Sequence, residues 1–540
     1  LSFMFFNRMF DAATKRYEQV LRFLAKKNRR WITVFVVIFF SFATYMLTNI
    51  LPSAFVPQED SGAIMGSVEL SPGSSLEQTD SIIAQVRKII ETVPGVEAST
   101  TMTGQSFMTG SGSSYGGIVV LLKNWDERDL TADEIVAQLQ QKTAGIKNAN
   151  FMFFGMPTIM GFGMSNGVAL ELQDKTGGST DDFYKVATDF MKKLQARPEV
   201  MVAMNSFDPR FPQKLIEANV ARIKDAGLTL QEVMSALQQN IGGAYISDFN
   251  AYGKQYRVMV QAAPQYRAKL DDLGRIFVKT SSGEMAPITQ FITVKSVTGA
   301  QGLTRFNLFS SMSLTIIPNY PGGYTSSDVL KAIDEIKLPE GYGHDYSGLT
   351  REETSTTNNT PIILLLCAIF VYLLLAAQYE SYILPLAVLF SLPVGLAGIY
   401  LFTFISMLGG SGIVNNIYVQ ISLVMIIGML AKMAILIVEY ALQRRRQGMS
   451  IVKAAITGAI ARLRPVMMTG LTMIIGLIPL AFAGGAGAIG NKSIGISAMG
   501  GMIFGTFIGI LIVPILFILF QSLHEKLSSH KIETIDDTDF

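Results

Sequence analysis

Six apolar runs punctuate the chain, each about the length a helix needs to cross the ~30 Å hydrocarbon core of a bilayer: Trp31–Leu51, Pro361–Ala377, Ile383–Leu408, Ile417–Tyr440, Pro465–Ala483 and Ile494–Phe520. The first stands alone, and the residues from 52 to 360 hold no comparable run. Inside that interval the pattern becomes short and alternating. Ala63–Leu70 is strand-like, Ser75–Thr92 has helical apolar spacing, and Glu97–Met102 is strand-like again. Gly117–Lys123, Thr131–Ala144 and Asn150–Phe154 then repeat strand, helix and strand, with Thr131 and Glu134 at capping-box spacing. Two βαβ units in series make the split βαβ, or ferredoxin-like, arrangement. A second copy begins with strand Val168–Leu172, helix Asp181–Gln195 and strand Val202–Ser206. It resumes with strand Met312–Pro318, helix Ser326–Ile336 and strand His344–Gly348. The intervening Lys214–Ser310 reads as an insert with its own helix, Leu230–Gln239, and several strands.

The expected fold is therefore a membrane α-helical bundle of six spans plus an α+β domain of two ferredoxin-like modules with an inserted subdomain. Leu1–Arg30 reads as an amphipathic helix, and the polar Gln521–Phe540, ending in Asp536, Asp537 and Asp539, as a disordered tail. The chain starts at Leu1 and shows no signal-peptide pattern, so it reads as part of something longer.

Composition agrees with this division. Hydrophobic residues make up 49% and mean hydropathy is +0.35, yet 44 basic and 42 acidic side chains need a large watery home. A net charge of +2 gives no reason to expect a nucleic-acid partner. The single Cys367 excludes an intrachain disulfide and a cysteine metal site, and His344, His524 and His530 are scattered. Basic residues Arg22, Lys26, Lys27, Arg29 and Arg30 precede the first span. Six crossings return the C-terminus to that side, and Arg444, Arg445, Arg446, Lys453, Arg462 and Arg464, which follow the fourth crossing, fall on it too. Both ends are then cytoplasmic and the large domain lies outside.

One residue conflicts with its expected solvent. Lys432 lies eight residues before Tyr440, about 12 Å below the interface. An unpaired ammonium there costs at least about 2.5–3.5 kcal/mol. It needs a buried carboxylate, loss of its proton or a wet cavity; the plain alternative is a lysine that snorkels or lines a packing defect. No other span offers a carboxylate at depth, and Glu439 is about 10 Å further along the axis, beside Arg444–Arg446. The functional reading is an ion-relay lysine whose acidic partner lies outside this chain. Arg462 and Thr469, in ARLRPVMMTG, are a topogenic charge and a helix back-bonder on one reading and the continuation of a polar path on the other.

Further motifs are softer. Gly104–Gly117 (GQSFMTGSGSSYGG) reads as a flexible loop bearing Phe107, Met108 and Tyr115, either a gate over an apolar pocket or a slack connector. Phe151–Met164 (FMFFGMPTIMGFGM) suits an adaptable binding wall or a core strand leading to a hinge. Met102, Met108, Met152, Met156 and Met160 also raise a soft-metal path, without His or Cys support. Gly487, Gly490, Gly495, Gly501, Gly505 and Gly509 give the last span a smooth side for close helix contact. No hydrolase, metalloprotease or nucleotide-binding motif is present.

These pieces match a known family in order. LPSAFVPQEDSG (Leu51–Gly62), GMLAKMAILIVEYA (Gly428–Ala441) and RLRPVMMTG (Arg462–Gly470) resemble signatures of resistance–nodulation–cell division (RND) transporters, and the whole chain resembles the C-terminal half of hydrophobe/amphiphile exporters of the AcrB type. The resemblance implies a drug/proton antiporter, not an enzyme. It would be a homotrimer in the Gram-negative inner membrane, using no cofactor but the proton motive force, and working with a periplasmic adaptor and an outer-membrane channel. Substrates would be drugs, dyes, detergents or bile-salt-like compounds. The implied layout is a cytoplasmic linker helix (1–30), first span (31–52), two porter subdomains (53–162; 163–213 with 311–349), a funnel or docking subdomain (214–310), five spans (350–520) and a cytoplasmic tail (521–540). Lys432 would pair with aspartates of the missing N-terminal half, with Arg462 and Thr469 as relay companions. Asn416 stands where relatives often carry an acid. Phe107, Met108 and Tyr115 would belong to a switch loop, and Val120, Met152, Phe154 and Met156 to pocket-lining positions, Val120 replacing a phenylalanine. Heavy-metal export and a non-exporting assembly role are the alternatives.

Overall fold

A computed structural model describes residues 2–108, 110–159, 161–163, 167–205, 207–300, 302–357 and 360–527. They form two compact units, Leu1–Phe207 with Thr304–Phe540, and Asp208–Leu303.

The first unit opens with α1 (Ser2–Ala25) and α2 (Arg30–Ile50), the first span. The next module is β1 (Ala63–Leu70), α3 (Leu76–Ile90), β2 (Val96–Ser106), β3 (Gly110–Leu122), α4 (Ala132–Thr143) and β4 (Ala149–Gly155). Ser75 with Gln78 and Thr131 with Glu134 form complete capping boxes that start the two helices. The antiparallel sheet runs β2-β3-β1-β4. Both helices cover one face, where Ile83 and Val86 of α3 and Ile135 and Leu139 of α4 meet Ile64, Ile118, Val120 and Phe153.

A second module starts with β5 (Val168–Asp174), α5 (Thr180–Gln195) and β6 (Val200–Asn205). The other unit then follows in sequence: β7 (Phe211–Ala218), α6 (Val220–Asp225), α7 (Leu230–Leu237), β8 (Ala244–Ala251), β9 (Lys254–Val260), β10 (Phe277–Lys279), β11 (Met285–Pro287) and β12 (Ile292–Gly299). It has its own core around Val233, Ile276 and Ile288, and its strands pair as β7–β12, β8–β9 and β10–β11. The second module resumes with β13 (Thr304–Phe306), β14 (Phe309–Pro318), α8 (Ser326–Glu335) and β15 (Tyr342–Tyr346). Its sheet runs β13-β14-β5-β15, with β6 also on β14, and α5 and α8 bury Phe183, Phe190, Val329 and Ile333 against one face.

After α9 (Gly348–Thr357) come α10 (Thr360–Tyr379), α11 (Leu384–Leu389), α12 (Leu392–Leu408), α13 (Ile417–Arg446), α14 (Ile451–Ala481), α15 (Ala488–Phe507) and α16 (Gly509–Leu527). Six helices among the described residues are long and apolar enough to cross a membrane. The architecture is thus a six-span membrane part with a mixed α/β region.

Three sequence expectations change. The fifth span begins at Ile451, not Pro465, because Ala454, Ala455 and Ala459 bury a small-residue face that includes Gly458, where a Cβ would lie 3.0 Å from Ala441 of α13. The run Ile494–Phe520 is α15 followed by α16, with Ile508 N–H donating to Phe504 O and Ile512 N–H to Ile508 O across the one-residue break. Of the glycine steps, Gly501 and Gly505 do meet α12 or α13, whereas a Cβ at Gly509 would meet nothing within 4 Å. Ser206, Met160, Met164 and residues 528–540 lie outside the described residues.

Candidate functional site

Along α13, Ile421, Val424, Gly428 and Lys432 recur at three- and four-residue steps, and all are exposed on the outer side of the helix set. Leu423, Ile426, Leu430, Ala434 and Ile437 are buried. Packing therefore fixes α13 so that its ammonium faces away from the other five spans. Lys432 makes no hydrogen bond or ion pair among the described residues. Thr469, on the adjacent α14, donates to Pro465 O at 2.9 Å. Arg462 stacks on Tyr440, its guanidinium carbon 4.8 Å from the ring centroid, and its buried Nε has no hydrogen-bond partner among the described residues. Arg444 lies 5.1 Å from the same centroid and donates to the Tyr440 hydroxyl at 2.7 Å. The three residues thus share two packed helices, but no hydrogen bond joins them among the described residues. Asn416 is wholly buried. It caps α13 by accepting from Tyr418 and Val419 N–H, and its amide donates to Ser493 at 3.0 Å, so an amide satisfies this span mouth without a charge.

A cleft of about 380 Å³ lies between the two modules, within the range of small-molecule sites. β1 and β4 supply one wall. In their antiparallel register Ser67 faces Met152 and Glu69 faces Asn150, all on the sheet face the helices leave open. β6 and β14 supply the other wall through Met204, Asn205, Ser313 and Thr315. Next to Ser313, the buried Glu171 carboxylate accepts from the Ser313 hydroxyl at 2.9 Å and from Ser347 at 3.2 Å. Met108, Met152 and Met204 give flexible, polarizable contact, and the amides and Glu69 give direction.

Of the residues singled out from sequence, Met108 and Met152 line this cleft. Phe154 is buried opposite Met65, and Met156 lies just beyond β4, partly exposed. Phe107 packs over Gly117, where a Cβ would sit 3.1 Å from its ring. Tyr115 lies opposite Glu69 on β3. Val120 is a correction: it is fully buried on the helix-covered face with Ile64 and Ile135, so it lines no part of the cleft.

The glycine-rich stretch is a correction too. Gln105 pairs with Ser111 and Ser106 with Gly110, so most of it is a hairpin. A register shift beside Gly104, whose φ is +88°, sets its bend. The Ser106 hydroxyl lies 2.6 Å from that of Ser67 and accepts from Met108 N–H, which pins the hairpin tip over the cleft face. Ser67, Glu69 and Asn150 went unnoticed in the sequence. The signal for Ser67 and Glu69 was the second half of β1, where they alternate with Val68 and Leu70; Asn150, near the start of β4, carried none.

The segment after α2 ties membrane to module. Glu59 accepts from Ile489 and Gly490 N–H (3.1 and 2.6 Å) at the positive end of α15. Asp60, next in line, accepts from Gly62 and Ala132 N–H and lies 2.7 Å from Arg128 Nη2.

Residues 1–521 match the model of the AcrB/AcrD/AcrF family. The solvent-resistant pump membrane transporter SrpB of Pseudomonas putida is 33% identical over 98% of this chain and 50% of its own length. The toluene efflux pump membrane transporter TtgB of Pseudomonas putida is 31% identical over 96% and 49%. The multidrug export protein AcrF of Escherichia coli is 29% identical over 96% and 50%. The chain spans about half the length of these relatives. With a family match that runs across nearly its whole length, the chain belongs to the AcrB/AcrD/AcrF family of RND transporters.

Proposed function

We propose that this chain forms half of the machinery of a proton-driven exporter of hydrophobic and amphiphilic compounds. The reading is carried by Lys432, an ammonium held in mid-span on the outward face of α13 with no counter-charge among the described residues. A second set of helices packs there and supplies carboxylates. Protonation of those carboxylates releases Lys432, which turns toward Thr469, and α13 and α15 shift together as packed bodies. Glu59 and Asp60 pass the shift to the first module, and the cleft between the two modules opens and closes. In this reading the modules are ferredoxin-like porter subdomains and residues 208–303 a docking subdomain. The α/β region lies in the periplasm, both chain ends face the cytoplasm, and the assembly is a trimer joined to an adaptor and an outer-membrane channel. The relatives named as multidrug and solvent efflux pumps support the substrate class.

The test is dye export by the complete transporter in liposomes under an imposed pH gradient. Wild-type export collapses when a protonophore removes the gradient. Lys432→Met, which keeps the side-chain volume, assembles normally and loses gradient-driven export. The reading is wrong if export by the wild type ignores the gradient, or if the variant exports at close to the wild-type rate.

A further inference from the structure

The last span is one apolar run in sequence and two helices in space, α15 ending at Phe507 and α16 starting at Gly509. At the joint, Leu511 N–H donates back only three residues, to Ile508 O at 3.0 Å, which tightens the turn. Pro514 then stands inside α16. Proline has no N–H, so the carbonyl four residues before it, Ile510 O, loses its helical donor. Ile510 is 5% exposed, and an acceptor stripped of its bond in apolar surroundings needs another donor. The donor comes from 493 positions earlier: Tyr17 of α1, itself 9% exposed, gives its hydroxyl to Ile510 O at 3.0 Å. Leu21 and Ala25 continue the same buried face of α1 and hold it in place.

The two halves of the span are fastened to different parts of the chain. On α15, Ser493 accepts from the Asn416 amide, and the Ile489 and Gly490 N–H groups donate to Glu59. On α16, Glu525 takes both Arg445 Nε and Nη2, at 2.7 and 2.8 Å. Asn416 and Arg445 are the two ends of α13, so α13 is tied to the span on both sides of the joint. A change of angle between α15 and α16 has to pass through residues 508–514. A void of about 10 Å³, lined by Leu430 and Met433 of α13 and by Gly505, Gly509 and Val513, adjoins the joint and leaves room for a small movement.

We propose that the last span is hinged at Ile508–Pro514 and that α1 is the strap on the hinge, the Tyr17 hydroxyl standing in for the N–H that Pro514 lacks. With the bond made, α15 and α16 keep one angle. With it broken, the joint bends, and the α15 N-terminus moves against Glu59. The inference concerns the joint alone and does not rest on proton-driven export.

The test removes the hydroxyl, then supplies the bond by another route. Hydrogen–deuterium exchange is followed by mass spectrometry on the complete transporter in nanodiscs, without a pH gradient. Tyr17→Phe keeps the ring and loses the donor, and exchange across residues 505–519 rises about fivefold, the loss of one net hydrogen bond, while peptides of α10 keep their rate. In a Pro514→Ala background residue 514 donates its own N–H to Ile510 O, and there Tyr17→Phe changes the rate by less than about twofold. Unchanged exchange in Tyr17→Phe, or a rise spread over all spans, overturns the proposal. So does a rise of equal size in the Pro514→Ala background, which would mean that Tyr17 only packs α1 against the span.

Discussion

Replacing Asp60 with asparagine tests how firmly the segment after the first span is locked to the module above it. Arg128 is the reason the effect is large. Its side chain is 2% exposed, with Nε donating to Lys123 O at 3.1 Å, Nη1 to Leu130 O at 2.9 Å, and Nη2 at 2.7 Å from Asp60. The substituted amide offers one oxygen where the carboxylate offers two, and turns an N–H toward the guanidinium. Stripping one partner from a buried pair costs about 3–5 kcal/mol, and with Asp60 25% exposed the loss falls to about 2–3 kcal/mol. For a cooperative unit of about 440 residues that lowers the melting midpoint by about 2–3 °C.

The assay is built into the sequence. The chain has two tryptophans, Trp31 in the first span and Trp125, whose ring lies 5.8 Å from the Arg128 guanidinium. In a Trp31→Phe background, fluorescence reports melting beside the Asp60 pair alone. Acidity supplies a second readout. Burial alone raises the Asp60 carboxyl, but Arg128 and the Gly62 and Ala132 N–H groups outweigh it and hold it below the usual carboxylate range. A depressed folded value means the stabilisation is complete above about pH 4 and is lost as pH falls through the folded value. Lowering the pH from about 6 to about 2.5 therefore erodes the wild-type advantage over Asp60→Asn. A variant with an unchanged Trp125 midpoint at neutral pH, or a wild-type advantage that persists undiminished in acid, refutes the argument.

Other outcomes follow from packing. Val120→Phe crowds a fully buried core position and costs about 1–3 kcal/mol of thermal stability; a variant of unchanged stability with altered substrate preference would instead place residue 120 in the cleft. Gly500→Ala sets a Cβ 2.6 Å from Gly398 O on α12, where backbone cannot yield, and lowers the melting midpoint of the detergent-solubilised protein. Gly509→Ala has open space and leaves it unchanged or higher, so equal midpoints for the two would refute the close α12–α15 contact.

The segment between the first span and the first module makes its contacts through neighbouring residues. Two adjacent acids, Glu59 and Asp60, hold different bodies, the N-terminus of α15 and the base of α4. The hairpin above is tied to β1 by the Ser67–Ser106 hydroxyl pair and to the α3 end by Thr79 donating to Ser113 O and Ser113 to Ser74 O.

The spans, the strand–helix–strand repeats and the depth of Lys432 were written in local pattern, because burial in lipid or against a sheet repeats every few residues and leaves that period in the chain. The capping boxes of α3 and α4 were equally local. What local pattern could not settle was facing. Ile118–Leu122 is apolar at every position, so nothing in β3 marked Val120 as helix-covered until the two helices were in place. The glycine- and serine-rich hairpin has no apolar alternation, and only its pairing and the Ser67 hydroxyl make it strand. The start of α14 reads as a basic loop in sequence, since alanine and glycine signal burial only once α13 lies within 3.0 Å. The sequence by itself determined most of the helices, strands and spans, and that Lys432 stands within an apolar run. Tertiary structure decided which way each face points, and so which residues meet across the cleft, because that depends on partners hundreds of positions away.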